Sequence, residues 1–152
     1  MALTLIQGLA VDNVPCFFIT GNSGAYVSTS PIVFAATQID THSGVDLGNN
    51  KYVVNVAGKW HFHVQLGIVQ VTGTGNCYPQ LQRTTSGGSA TAFGYSYYSP
   101  TNGSSVQSYS HLDVDMIIDC AVGDSINVAF NQTSGYYYNG ANECRFFGYF
   151  LG

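Results

Sequence analysis

The chain has 152 residues, and its four Lys and Arg against eight Asp and Glu give a formal net charge of −4. This is the length of one domain with a core of its own, and so few basic residues exclude nucleic acid and anionic membranes as main partners. Charged residues make up only 8% of the chain, against about a quarter in an ordinary soluble domain. Such a composition is typical of faces buried in an oligomer, or of recognition through hydroxyls, amides and aromatic rings.

The first fifteen residues are apolar in patches and contain no basic residue. A signal peptide needs a cationic start and a longer apolar stretch, and no segment of the chain approaches the roughly 18 apolar residues of a membrane helix. The apolar side chains here are too few to form a folded unit. We therefore predict that residues 1–14 form an attachment arm ordered by docking on a partner, and that residues 15–152 form one domain.

Alternation of apolar and polar residues with period two recurs along the rest of the chain, and helical periodicity is missing. Clusters of Gly, Asn and Ser separate the alternating segments, which predicts an all-β sandwich or barrel. The predicted inward residues are Tyr52, Val54, Val56, Trp60, Phe62, Val64, Leu66, Leu112, Val114, Met116, Ile118, Ile126, Val128 and Phe130.

The chain ends in an aromatic-rich segment with Gly148 at its centre. A terminal strand of this kind closes a sheet, and a glycine there predicts a point where another backbone or a symmetry mate comes close. We expect Phe150 to join Trp60 and Phe62 in the core.

Four cysteines, at positions 16, 77, 120 and 144, include no C-x-x-C pair. Metal clusters and thioredoxin-like motifs are therefore unsupported. Three disulfide connectivities stay possible, and we expect reduced, half-buried thiols in strands.

Residues 17–19, 31–34, 52–64, 122–126 and 146–151 match, in this order, the opening strand, second strand, central signature, Gly-Asp turn and terminal strand of a known family. With these segments the chain resembles the complement C1q globular head. Two departures are the missing Pro before Gly58 and the Tyr-, Ser- and Gly-rich residues 77–110, and no collagen-like run precedes the head.

The resemblance implies a jelly-roll β-sandwich of the C1q and tumour necrosis factor type that forms a homotrimer. In that family the terminal strand lies in the sheet that faces the three-fold axis. Phe147 and Tyr149 are therefore expected at the interface between subunits.

Two pairs of polar side chains lie on single faces of predicted strands. His61 and His63 could hold a metal but are more often polar surface. Asp113 and Asp115 could supply carboxylate oxygens to calcium, although no calcium motif of the family maps onto them. Because no recognisable nucleophile or orienting group accompanies the carboxylates, we expect no enzyme and no required cofactor.

Tyrosines cluster in two segments. Tyr95, Tyr97 and Tyr98 lie in the Gly- and Ser-rich excursion, and Tyr136, Tyr137 and Tyr138 lie in a predicted loop before the last strand. Tyrosine offers a large rigid ring with a hydroxyl, as binding loops require. These six residues are predicted to bind a ligand such as carbohydrate or a cell-surface receptor, or else to pack against neighbouring subunits.

The sequence thus favours a non-enzymatic trimeric structural or binding module on the surface of a virus or phage particle. Residues 1–14 would join it to a shell or fibre protein, as a capsid decoration or a fibre head. The alternative is a secreted, extracellular C1q-like recognition protein of lectin type.

Overall fold

A computed structural model describes residues 14–21, 30–70, 76–96, 108–132, 136–138 and 143–152. Within these ranges every regular element is a β-strand, which confirms the predicted all-β class. The strands are β1 (Cys16–Gly21), β2 (Phe34–Asp40), β3 (Val45–Asp46), β4 (Lys51–Val53), β5 (Gly58–Gln70), β6 (Cys77–Thr84), β7 (Ala90–Tyr95), β8 (Ser108–Cys120), β9 (Ser125–Gln132), β10 (Tyr136–Tyr138) and β11 (Cys144–Phe150). None of the residues described forms a helix that is long and apolar enough to cross a membrane.

The strands form two antiparallel sheets. In the six-stranded sheet, β5 pairs with β8 along its whole length, and its other edge pairs with β11 and, further along, with β10. β1 joins β11 to β2. The five-stranded sheet runs in the order β3, β4, β9, β6 and β7.

The core lies between the two sheets and is filled by the predicted alternation. On β5, Trp60, Phe62, Val64 and Leu66 are buried, while the residues between them face away from the core. Phe17 of β1 stacks on Tyr52 of the other sheet, with 4.0 Å between ring centroids. The indole Nε1 of Trp60 donates a hydrogen bond to the Val56 carbonyl at 2.9 Å, so the ring is buried with its polar atom satisfied.

A turn at residues 121–124 ties the five-stranded sheet to the segment before β5. Gly123 adopts φ +88°, a left-handed value that glycine tolerates at low cost. Asp124 is only 3% exposed, and its Oδ2 accepts a hydrogen bond from the Ala121 amide at 3.0 Å. The amide of Gly123 donates to the Val54 carbonyl and the amide of Val54 to the Asp124 carbonyl, so the predicted Gly-Asp turn fixes one end of the sandwich.

Three local predictions need correction. The second strand is β2, beginning at Phe34 and not at Pro31, because proline has no amide to donate to a ladder. Phe150 is half-buried, since it lies on the last rung of β11 and meets Trp60 only edge-on. Val56 is likewise only partly buried, because the chain has left β4 before reaching it.

Gly148 makes room inside its own chain. A Cβ at this position would lie 2.7 Å from ring atoms of Phe17 and of Phe62, and 3.0 Å from the backbone oxygen of His61. The close backbone that the sequence predicts is that of β5. The sequence also allowed a symmetry mate to approach at this point. The ring atoms that a Cβ would meet belong instead to Phe17 and Phe62 of the same chain.

All four cysteines have free thiols and lie in strands. Three are fully buried, more than the half-burial expected from the sequence. Burial raises the pKa of Cys77 and of Cys144 to about 12 and that of Cys120 to about 11. The protonated thiol is therefore the stable form of these three side chains at neutral pH.

Candidate functional site

The face of the six-stranded sheet that points away from the core carries a regular grid of side chains, which we call the outward face. Its register places side chains in rows that cross β8, β5, β11 and β1. One row contains Ile117, His61, Tyr149 and Cys16. The next contains Asp115, His63, Phe147, Phe18 and, on β2, Ile39.

One half of the outward face is an apolar groove over β11, β1 and β2. It has a volume of about 360 Å³ and is lined by Phe18, Ile39, Arg145, Phe147 and Tyr149 among others. Ile39 is 47% exposed and Tyr149 39% exposed, although both are large apolar or aromatic side chains. The groove therefore presents large apolar and aromatic side chains to solvent.

The other half, over β5 and β8, holds a histidine–carboxylate cluster of His61, His63, Asp113 and Asp115. Nε2 of His61 contacts Oδ1 of Asp115, and Nδ1 of His63 lies 3.0 Å from Oδ2 of the same carboxylate. Nε2 of His63 lies 3.5 Å from Oδ1 of Asp113. The pairing arises because β5 and β8 place His63 directly opposite Asp115 on one face.

Aromatic rings of β11 cover both histidines. The His63 ring stacks on Phe147, with 4.8 Å between centroids and 25° between planes. The His61 ring lies 4.8 Å from that of Tyr149. These contacts join the cluster to the apolar groove and fix the orientation of both imidazoles.

The cluster alters the titration of Asp115. The hydrogen bond from His63 is the largest cause that holds the pKa of this carboxyl below its ordinary value of 3.8. Partial burial opposes the change, and the contact with His61 adds to it. Asp115 is therefore an anion throughout the neutral range.

Phe147 and Tyr149, expected at the subunit interface, both lie on the outward face. Asp113 and Asp115, predicted as candidate calcium ligands, face histidines. Within the described ranges no group of three or more His, Cys, Asp or Glu side chains could hold a metal ion. The described side chains of Asp113 and Asp115 both contact His63, and Asp115 also contacts His61.

The tyrosines predicted to bind a ligand are not brought into one site by the described residues. Tyr95 ends β7 in the five-stranded sheet, is 63% exposed and packs its ring against that of Tyr78 at 5.4 Å. Tyr136–Tyr138 form strand β10 in the other sheet, which corrects their placement in a loop. Three consecutive tyrosines have a high preference for strands, and here they continue the edge pairing of β5. Tyr97 and Tyr98 lie outside the described residues.

The histidine–carboxylate cluster was not predicted as a unit. Alternation places His61 with His63, and Asp113 with Asp115, on outward faces. Their pairing depends on the register of β5 with β8, which are separated by about forty residues of chain and by two strands of the other sheet. A single sequence contains no signal for that register.

The fold is that of a C1q globular domain. One solved structure, the globular domain of zebrafish complement 1qA protein, superposes with a TM-score of 0.66 over 92% of this chain and 98% of that chain. The two sequences are 14% identical, so the likeness concerns the fold. No family model matches the sequence, and no curated protein matches it.

Proposed function

We propose that this chain is a non-enzymatic recognition head that works as a homotrimer, joined through the outward face of its six-stranded sheet. The observation that carries the proposal is the apolar area exposed there. Ile117 is 60% exposed and shares this face with the exposed Ile39 and Tyr149. Exposed apolar side chains on one face of a folded chain suit an interaction surface, and the low charge of the chain supports the same conclusion.

The two unlike halves of the outward face suit a head-to-tail contact between copies. The half over β8 is acidic and ends in Ile117, whereas the half over β11, β1 and β2 is an aromatic groove with Arg145 at its edge. A contact between unlike patches is heterologous, and such contacts form a closed ring when the rotation between copies closes and an open filament when it does not. The C1q-like fold supports a ring of three.

The oligomeric state tests this proposal. We expect light scattering of the chain at micromolar concentration in neutral buffer to give about three times the monomer mass. Ile117→Asp places a charge on the outward face and should shift the mass toward the monomer. Val122→Asp is a matched control, because Val122 is 59% exposed but lies in the turn after β8. A well-folded native monomer, or equal effects of the two changes, would contradict the proposal.

The setting that we propose is the surface of a virus or phage particle, with residues 1–14 as the attachment arm. Deletion of residues 1–14 should then leave a folded trimer that no longer joins the parent particle. An unfolded product would instead make this segment part of the sandwich.

The second candidate is a secreted recognition protein, which the likeness to a complement head favours. For either setting, the six tyrosines stay the predicted ligand contacts. Replacing Tyr136–Tyr138 by Ser should weaken binding to carbohydrate arrays or host cells without changing the mass of the trimer.

A further inference from the structure

His63 differs from the other imidazole of the cluster because both of its ring nitrogens face carboxylates. Nδ1 lies 3.0 Å from Asp115 and Nε2 lies 3.5 Å from Asp113. A neutral imidazole has one N–H and one bare nitrogen, whereas an imidazolium donates from both. Only the charged form of His63 can therefore donate to both carboxylates, and the neutral form turns a lone pair toward one of them.

The other charged and titratable groups on this face determine how protonation of His63 changes the net charge of the face. On β8 they are Asp113, Asp115 and Asp119. β5 contributes His61 and Lys59, and Lys59 lies directly opposite Asp119, so that these two charges offset each other. The remaining groups are Arg145 and Tyr149 on β11, Cys16 on β1, and the pair His111 and Glu143, 3.9 Å apart at the far end.

The central rows are the two rows of the outward face described above and the next one, which joins Asp113, Gln65 and Arg145. Asp113 and Asp115 contribute two negative charges and Arg145 one positive charge, so with neutral histidines these rows carry −1. A proton on His63 brings the sum to zero. Burying an unpaired charge between subunits is costly, whereas a neutral, hydrogen-bonded set is tolerated.

We propose that His63 is a proton-operated lock on the contact between copies: protonation neutralises the outward face and favours assembly, and loss of the proton as pH rises through the histidine range weakens it. This inference rests on the proposed homotrimer. Histidine is the side chain whose charge ordinarily changes between pH 5 and 8. With three copies per ring, three protons are linked to one assembly step, which makes the response steep.

The test compares the dissociation of the native trimer at pH 6 and pH 8, at equal ionic strength, by sedimentation over a dilution series. We expect the dissociation midpoint to lie at least about tenfold lower in concentration at pH 6, as one linked proton over about one pH unit requires. Where the trimer does not dissociate on dilution, the rate of subunit exchange between two fluorescently labelled pools is the readout, and it should be faster at pH 8.

Two variants should shift assembly in opposite directions. His63→Gln removes the cation and should weaken the trimer at pH 6 to the native level at pH 8. Asp113→Asn removes the carboxylate that the neutral form leaves unpaired, and should strengthen the trimer at pH 8. His111→Gln is the control, because His111 is a histidine of β8 that faces Glu143 and not the carboxylates of His63, and it should keep the full pH response.

A native trimer with equal midpoints and exchange rates at both pH values would overturn the lock and leave the homotrimer intact. So would a pH response that survives His63→Gln or disappears in His111→Gln. A native monomer at both pH values would overturn the homotrimer itself, and the mass measurement distinguishes the two failures.

Discussion

Phe62 lies at the centre of the aromatic core. Its ring stacks nearly parallel to Trp60 at 5.9 Å and contacts Phe17 and Phe146 at 6.2 Å each. Phe62→Ala would leave a cavity among rings held by two sheets, and we expect it to lower the free energy of unfolding by about 3–5 kcal/mol. Urea unfolding measures the change.

The control for Phe62→Ala is His111→Ala, whose side chain is exposed and should cost less than about 0.5 kcal/mol. The sequence alone favoured His61→Ala for this purpose. The structure rules it out, because His61 contacts both Asp115 and Tyr149. Equal losses in Phe62→Ala and His111→Ala would contradict the burial of Phe62 in the core.

Gly148 gives a second prediction at the scale of one residue. Because a Cβ there would lie 2.7 Å from two core rings, Gly148→Ala forces Phe17 or Phe62 out of place. We expect a loss of about 1–3 kcal/mol in the free energy of unfolding, as is usual for an overpacked core.

Gly87→Ala is the matched control for Gly148→Ala. Its nearest neighbour would be Oγ1 of Thr85 at 3.8 Å, an ordinary contact. We expect a change within about 0.5 kcal/mol. An unchanged free energy of unfolding in Gly148→Ala would mean that the two rings can move apart at little cost in free energy.

Strands that bury one face are those whose inward residues the sequence predicts correctly. β5, β8 and β9 each bury one face, and their alternation gave the correct inward residues, with Met116 only partly buried. The sequence predicts a loop where β10 forms, because three tyrosines in a row carry no alternation. The backbone that pairs with them belongs to β5, far away in sequence.

The pairing of β5 with β8 predicts how the fold responds to acid. A carboxyl whose pKa is lower in the folded chain than in the unfolded chain contributes stability above its unfolded pKa. That stability is lost as pH falls through the folded value. For Asp115, the contribution is complete above about pH 4 and disappears below it.

Asp115→Asn should therefore flatten the loss of stability that occurs as pH falls below about 4, as followed by urea midpoints. Asp119→Asn changes an exposed carboxylate of the same strand and should leave the native pH profile in place. A profile that is unchanged in Asp115→Asn would mean that the histidines do not favour the ionised carboxylate. The loss of stability linked to Asp115 occurs well below the pH range of the proposed lock at His63. The stability change and the assembly change can therefore be measured separately.

For the whole molecule, the sequence predicts the fold class but only part of the candidate site. Alternation and turn residues are local, and they were sufficient for a two-sheet sandwich. The site depends on which strands become neighbours, because the groove joins β2, β1 and β11 while the cluster joins β5 and β8. Phe147 and Tyr149 could be placed on the outward face through the resemblance, whereas the carboxylate partners of the histidines could not.

The first and last strands of the sandwich run side by side. The amide of Phe150 donates to the Pro15 carbonyl at 2.9 Å, and the amide of Lys59 donates to the Gly152 carbonyl at 2.8 Å. Residues 15 and 152 therefore lie near enough for a short linker to join them. A short linker from residue 152 to residue 15, with new termini opened in the β6–β7 turn at Gly87, would preserve every strand pairing described here, making the head a suitable scaffold for circular permutation.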